Sequence, residues 1–204
     1  MKIKILSVRR SFIYLFLPIL LFAKPISAQN VDIDLLRDIN VKRNHRLDNS
    51  FKVITNSVMP VSIGLPLGIF ATGLINKDVV TRNNGIEAGA GFILASCIST
   101  GLKIIVNRPR PFVTYPDIQK MASAGSYSFP SGHTTAAFAT ATSISLIYPK
   151  WYVIAPAFTW ACLSGYSRMH LGVHYPSDVL AGIVIGVGSS LLVHQGAKWI
   201  QTKK

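Results

Sequence analysis

The sequence predicts an all-α protein, a membrane-embedded bundle of five or six transmembrane helices. Three observations lead there. Half of the residues are hydrophobic and only 14% are charged, too apolar for a soluble domain of 204 residues. Five apolar segments follow one another, several near the roughly 20 residues that cross a bilayer. Neither strand alternation nor an internal repeat competes with the helical pattern.

Taken in order, the chain opens with Lys2, Lys4, Arg9 and Arg10, then the apolar run Phe12 to Ala23, then Ile26-Ser27-Ala28 before Gln29. That order is a signal-peptide pattern, although Pro18 interrupts a run already short for a span. Residues 1–28 are therefore read as a cleaved signal peptide or as a retained first transmembrane segment. Residues 29–56 mix Asp32, Asp34, Asp38, Lys42, Arg43, Arg46 and Asp48 with Ile33, Leu35, Leu36, Ile39 and Leu47. They read as an amphipathic periplasmic or interfacial segment. The apolar segments Ser57 to Asn76, Gly85 to Val106, His133 to Tyr148, Trp151 to Gly165 and Val179 to Ala197 make up a transmembrane domain over 57–198. Ala136, Ala137, Ala139, Ala161 and Gly165 suit close helix packing within it. Residues 199–204 form a basic cytoplasmic tail. Cys97 and Cys162 lack disulfide or metal spacing and are expected to be buried as small hydrophobes.

The net charge of +13 is scattered singly and in short groups between apolar segments, which excludes a nucleic-acid surface. Lys77 and Arg82, Lys150, and Lys198, Lys203 and Lys204 place three regions on the cytoplasmic side. The stretches Lys103 to Phe129 and Ser164 to Asp178 then share the opposite face. They carry Arg108, Arg110, Lys120 and Arg168 where the positive-inside rule discourages them, and that suggests an anion site.

Three patches on that face suit phosphate chemistry. In the first, Lys103 ends an apolar helix and a Pro-stiffened turn aims Arg110 at the same anion, a point charge beside a planar donor fork. In the second, Pro130-Ser131-Gly132-His133 opens a helix with Ser131 as N-cap and outward backbone N–H groups, a ready anion cradle. In the third, Pro176 fits a first helical turn, so His174 precedes the helix and Asp178 lies in its opening turn. Asp178 can then fix the tautomer of His174 and leave the other ring nitrogen free to attack phosphorus.

These patches resemble the tripartite signature of the type 2 phosphatidic acid phosphatase (PAP2) superfamily, K-x6-R-P, P-S-G-H and S-R-x5-H-x3-D, without gap or substitution. The resemblance implies a PAP2/haloperoxidase-type helical core and a membrane phosphatase that works through a phosphohistidine intermediate. By matching positions it implies His174 as nucleophile, Asp178 as its orienting partner and His133 as acid to the leaving alkoxide. Lys103, Arg110, Ser131, Gly132 and Arg168 would bind the phosphoryl oxygens, with no metal or other cofactor. The implied substrates are phosphatidic acid, phosphatidylglycerol phosphate, undecaprenyl diphosphate or lipid A phosphates, met in a bacterial-type cytoplasmic membrane by a site facing the periplasm or exterior. No protein partner is implied. The alternatives are a vanadate-dependent haloperoxidase and a non-catalytic phospholipid-binding protein. Arg108 lacks the family spacing from Lys103 and is expected to be a headgroup contact or a solvated charge. Gly172 and Pro176 argue against a His170–His174 metal pair on one helix. His45 and His194 receive no role, and Trp160 is expected to pack inside the bundle.

Overall fold

A computed structural model describes residues 25–125 and 127–202. The predicted leader, as far as residue 24, and Lys203 and Lys204 lie outside the described residues. The helices are α1 (Pro25–Asn40), α2 (Asp48–Ile75), α3 (Val79–Val106), the single turn α4 (Pro111–Thr114), α5 (Gly132–Ile147), α6 (Trp151–His170) and α7 (Pro176–Gln201). A 3-10 turn, His45–Leu47, joins α1 to α2.

The helix ends follow from local chemistry. Asp78 caps α3 by accepting the Val80 N–H at 2.9 Å, and Ser131 caps α5. Pro111 and Pro176 stand in the first turns of α4 and α7, where a missing N–H costs nothing. Asn107, in the left-handed region at φ 50°, ends α3. Among the described residues, three stretches are long and apolar enough to cross a membrane: His45–Ile75, Val79–Thr114 and Pro176–Ile200.

Helix α5 is the axis of the bundle. Every residue from Thr134 to Ser143 is buried, and the helix packs against α2, α3, α6 and α7. Its Ala and Thr side chains are small enough for that. Thr135 Oγ1 donates to Ser131 O at 2.9 Å, and Thr140 Oγ1 donates to Ala136 O at 2.9 Å and lies 2.8 Å from Ser62 Oγ on α2, whereas Thr142 Oγ1 is buried without a partner among the described residues. Helix α7 approaches closely at Gly186, where a Cβ would stand 2.5 Å from the Thr135 carbonyl oxygen. Trp160 packs against the Val58, Ala137 and Phe138 cluster as expected and donates its indole N–H to Ser57 Oγ at 3.0 Å.

Three expectations need correction. Helix α2 starts at Asp48, well before Ser57, because Phe51 and Thr55 are buried and extend the packed face below the apolar run. Helix α6 runs past Gly165 to His170, with Ser164, Ser167, Arg168 and His170 all buried. Cys97 and Cys162 are exposed; an apolar helix surface that faces lipid has the same composition as one that faces the core. Residues 29–56 cover most of α1 and the first turns of α2, and α1 packs one face on the bundle. Ile33 and Leu36 of α1 are buried with Ile118 and Tyr175. Asn40 is fully buried, donating to His170 O at 2.8 Å and Gln119 O at 3.1 Å and accepting the Gln119 N–H at 2.8 Å. Helix α1 is thus a roof over the end of the bundle where the three sequence patches meet.

Candidate active site

The loop Leu171–Tyr175 carries His174 between α6 and α7. Gly172 turns the chain there with φ +70°, and a Cβ at that position would stand 2.3 Å from the Gln119 carbonyl oxygen. His174 is 2% exposed. Its Nδ1 lies 3.4 Å from Asp178 Oδ2, and its Nε2 lies 3.2 Å from an amino nitrogen of Arg110. A guanidinium only donates, so Nε2 holds the lone pair and Nδ1 carries the proton toward Asp178. Burial, reinforced by the Arg168 and Arg110 charges, pushes the imidazole down to about 3 against the upward pull of Asp178. The ring is neutral at neutral pH, as a nucleophile requires.

Asp178 is fully buried and heavily bonded. It accepts the Tyr175 N–H at 3.0 Å, the Ser128 hydroxyl, and the Arg108 guanidinium at 2.8 Å. Its own carbonyl accepts the Ser131 N–H at 3.0 Å, which ties the Pro130-Ser131-Gly132-His133 patch to the start of α7.

The three cations of the signature are held by neutral acceptors. Lys103 Nζ donates to the carbonyls of Tyr127 at 3.0 Å and Pro130 at 2.6 Å. Arg110 donates to Gly125 O at 3.1 Å and Val173 O at 2.7 Å. Arg168 donates to Thr55 Oγ1 at 2.6 Å and Ser123 O at 3.3 Å, and its Nε is buried without a partner among the described residues. Among the described residues none of the three forms an ion pair, whereas Arg108 forms two. Gly132 sits beside Lys103, with 3.8 Å from a Cβ built there to Lys103 Cε. His133 follows Gly132 in the first turn of α5, is partly exposed, and makes no hydrogen bond among the described residues. Buried positive charge without a counter-ion is unfavourable until an anion enters. Beside a neutral imidazole and an unbonded histidine, this arrangement can bind a phosphoryl group and transfer it.

All eight residues expected from the sequence therefore meet at one end of the bundle. Others that complete the site were not foreseen. Arg108, expected to be solvated or bound to a headgroup, instead bridges Asp178 and Asp32 with its guanidinium 3.7 Å from the Tyr175 ring centroid. Ser128 and Thr55 carry no local signal that marks them. Only proximity to a motif singled out Arg108, and spacing alone gave no way to tell its partner. His170 turns away from His174 and meets Asp48 at 2.8 Å, where Arg43 also binds.

A helical bundle with membrane-length spans that gathers uncompensated cations around a His–Asp pair defines a membrane phosphatase. The chain belongs to the PAP2 superfamily, whose family model matches residues 84–201. It is 30% identical over 182 residues to an undecaprenyl-diphosphatase of Sulfolobus acidocaldarius, covering 87% of this chain and 85% of the relative. It is also 30% identical to the undecaprenyl-diphosphatase BcrC of Bacillus subtilis, covering 71% of this chain and 72% of the relative. Among solved structures it resembles Aquifex aeolicus LpxE with a TM-score of 0.72 at 28% identity, over 81% of this chain and 95% of that one. The protein is a membrane hydrolase of lipid phosphates or diphosphates, which sets aside the haloperoxidase and non-catalytic alternatives.

Proposed function

We propose that His174 takes the phosphoryl group from an isoprenyl diphosphate or related lipid phosphate at the outer face of a bacterial-type cytoplasmic membrane. One observation carries this reading: two buried arginines, Arg110 and Arg168, and the half-buried Lys103, none with a carboxylate partner among the described residues, gather at the end of the bundle that holds His174, whose free nitrogen lies 3.2 Å from Arg110. Nε2 of His174 forms a bond to the terminal phosphorus as the bond to the departing oxygen breaks, the bridging oxygen of a diphosphate or the ester oxygen of a monophosphate, and His133 protonates that oxygen to release the lipid monophosphate or the lipid alcohol. His133 then takes a proton from water, the water oxygen bonds to phosphorus, and the N–P bond breaks to release inorganic phosphate. Lys103, Arg110 and Arg168, with Ser131 and Gly132 at the start of α5, hold the equatorial oxygens. The choice of an isoprenyl diphosphate among the lipid phosphates is supported by the names of the two curated relatives. The outward orientation is supported by Lys77, Arg82, Lys150 and Lys198 at the opposite end of the bundle.

The test is phosphate release by detergent-purified protein from undecaprenyl diphosphate, phosphatidic acid, phosphatidylglycerol phosphate and lipid A, without added divalent metal. Release is expected, undecaprenyl diphosphate being cleaved fastest. His174→Ala is expected to abolish it, and acid quenching of the wild type with radiolabelled substrate to trap phosphate on the protein. Undiminished turnover by a folded His174→Ala protein refutes the mechanism.

A further inference from the structure

Helix α1 lies outside the 84–201 region that the family model matches, yet one of its side chains reaches the catalytic end of the bundle. Asp32 Oδ2 accepts from Arg108 at 2.7 Å and from the Ser177 hydroxyl at 2.6 Å, while Oδ1 accepts the Ser177 N–H at 2.8 Å. Arg108 in turn donates through its other amino group to Asp178 Oδ1 at 2.8 Å and to Ser177 Oγ at 2.7 Å. Asp178 spends its second oxygen, Oδ2, on His174, Ser128 and the Tyr175 N–H. A continuous chain of charged and polar contacts thus runs from Asp32 through Arg108 and Asp178 to the Nδ1 of His174.

We propose that Asp32 and Arg108 are positioning residues for the reaction, so that the amino-terminal helix supplies a working part of the site. This rests on the reading of His174 as nucleophile. Arg108 differs in kind from the three phosphate-site cations. Both of its amino groups are occupied by carboxylates, and its flat face lies over Tyr175. Its Nη1 is given to Asp178 and Ser177 and its Nη2 to Asp32, so two carboxylates neutralise its charge. It holds Asp178 by one oxygen and leaves the other turned to the imidazole. Two charge-assisted hydrogen bonds, one to each carboxylate, fix the direction of the guanidinium as well as its charge. Asp32 fixes Arg108 from the far side and balances its charge, so the carboxylate of Asp178 is not drawn away from His174. Without Asp32 the guanidinium has only one carboxylate to pair with. It would then be free to turn Asp178 out of line with Nδ1.

The experiment is a set of variants in the full chain: Arg108→Ala, Asp32→Asn, Asp178→Asn, and each of the first two combined with Asp178→Asn. Asp32→Asn keeps an oxygen that can accept the Ser177 N–H, so it removes the charge while sparing the cap. Asp34→Asn, on the exposed face of α1, serves as the control. Phosphate release and thermal midpoint are measured for each. Arg108→Ala and Asp32→Asn are expected to lower kcat about 10- to 100-fold with KM changed less than about threefold. Neither is expected to lower kcat further once Asp178 is Asn, since the chain acts only through that carboxylate. A structural role would instead lower the thermal midpoint and multiply with Asp178→Asn. Wild-type kcat in both single variants, or losses that multiply with Asp178→Asn, overturns the inference while the nucleophile reading stands. Wild-type kcat in Asp178→Asn itself overturns the His174–Asp178 mechanism, and this inference with it.

Discussion

Replacing Arg110 with lysine separates charge from geometry at the phosphate site. Arg110 is 6% exposed and its guanidinium is pinned by carbonyls on two sides, Gly125 O at 3.1 Å and Val173 O at 2.7 Å, with one amino group 3.2 Å from His174 Nε2. In the proposed mechanism the remaining amino group meets a phosphoryl oxygen beside the attacking nitrogen. Lysine retains the positive charge but not the planar fork, and one nitrogen cannot stand at the separate donor positions that Nε and the two amino groups of Arg110 occupy. The loss is one hydrogen bond to a charged group in the transition state. Such a bond contributes about 1.5–3 kcal/mol, which corresponds to a roughly 10- to 150-fold fall in kcat/KM at 25 °C. Arg110→Gln, which loses the charge as well, should fall further. The assay is the initial rate of phosphate release in mixed micelles across substrate concentrations, below the thermal midpoint of every variant. An Arg110→Lys protein within about threefold of wild type would show that only charge matters at this position, and would refute the fork geometry.

Two further outcomes are expected. Gly186→Val should destabilise the bundle by about 1–3 kcal/mol or more, because the new Cβ meets the Thr135 carbonyl and the Ala139 nitrogen of the axial helix; Gly188→Val, where nothing lies within 4 Å, should leave the thermal midpoint in detergent unchanged, and equal effects at the two positions would contradict the packing. The second outcome concerns acid. His174 is held down to about 3 by burial, so below the ordinary histidine value the unfolded chain binds the extra proton and the folded chain does not. The stability that this group contributes is therefore complete above pH ~6.5 and declines toward pH 3, by up to about 1.4 kcal/mol per pH unit. His174→Gln should flatten that part of the curve of thermal midpoint against pH. A curve of unchanged slope would mean that the imidazole is already charged in the folded protein.

Much of the site was legible because its residues sit at helix ends, where local chemistry is strong. Lys103 closes α3, Ser131 caps α5, Arg168 ends α6 and Asp178 opens α7. An up-and-down bundle places those four ends together. What stayed hidden depends on packing between distant segments. The amphipathic pattern of residues 31–40 says that one face of α1 is covered but not by what, so the reach of Asp32 to Arg108, 76 residues away in sequence, had no local signature. Arg108 and Arg110 each precede a proline and differ only in phase. A shift of two positions turns one to the carboxylates and the other to His174. The exposed Cys97 and Cys162 were misjudged because hydropathy is equally high on a lipid-facing and a core-facing surface.

The way each cation is held explains how the site can keep its charge for the substrate. Had Lys103, Arg110 and Arg168 been fixed by aspartates, a phosphate would have had to displace those carboxylates before binding. Backbone carbonyls at Tyr127, Pro130, Gly125, Val173 and Ser123 instead supply oriented dipoles that fix the three groups without cancelling them. Arg108, a neighbour in the same turn, is neutralised by Asp32 and Asp178, so the site's two carboxylates are spent on one cation outside the phosphate pocket. The positive charge that remains is concentrated beside the free nitrogen of His174, in a place too buried for water to screen it well. An anionic phosphoryl group is the ligand that relieves this arrangement most. In the proposed mechanism the same group is brought within reach of the neutral His174 imidazole, so binding and positioning for attack follow from a single distribution of charge.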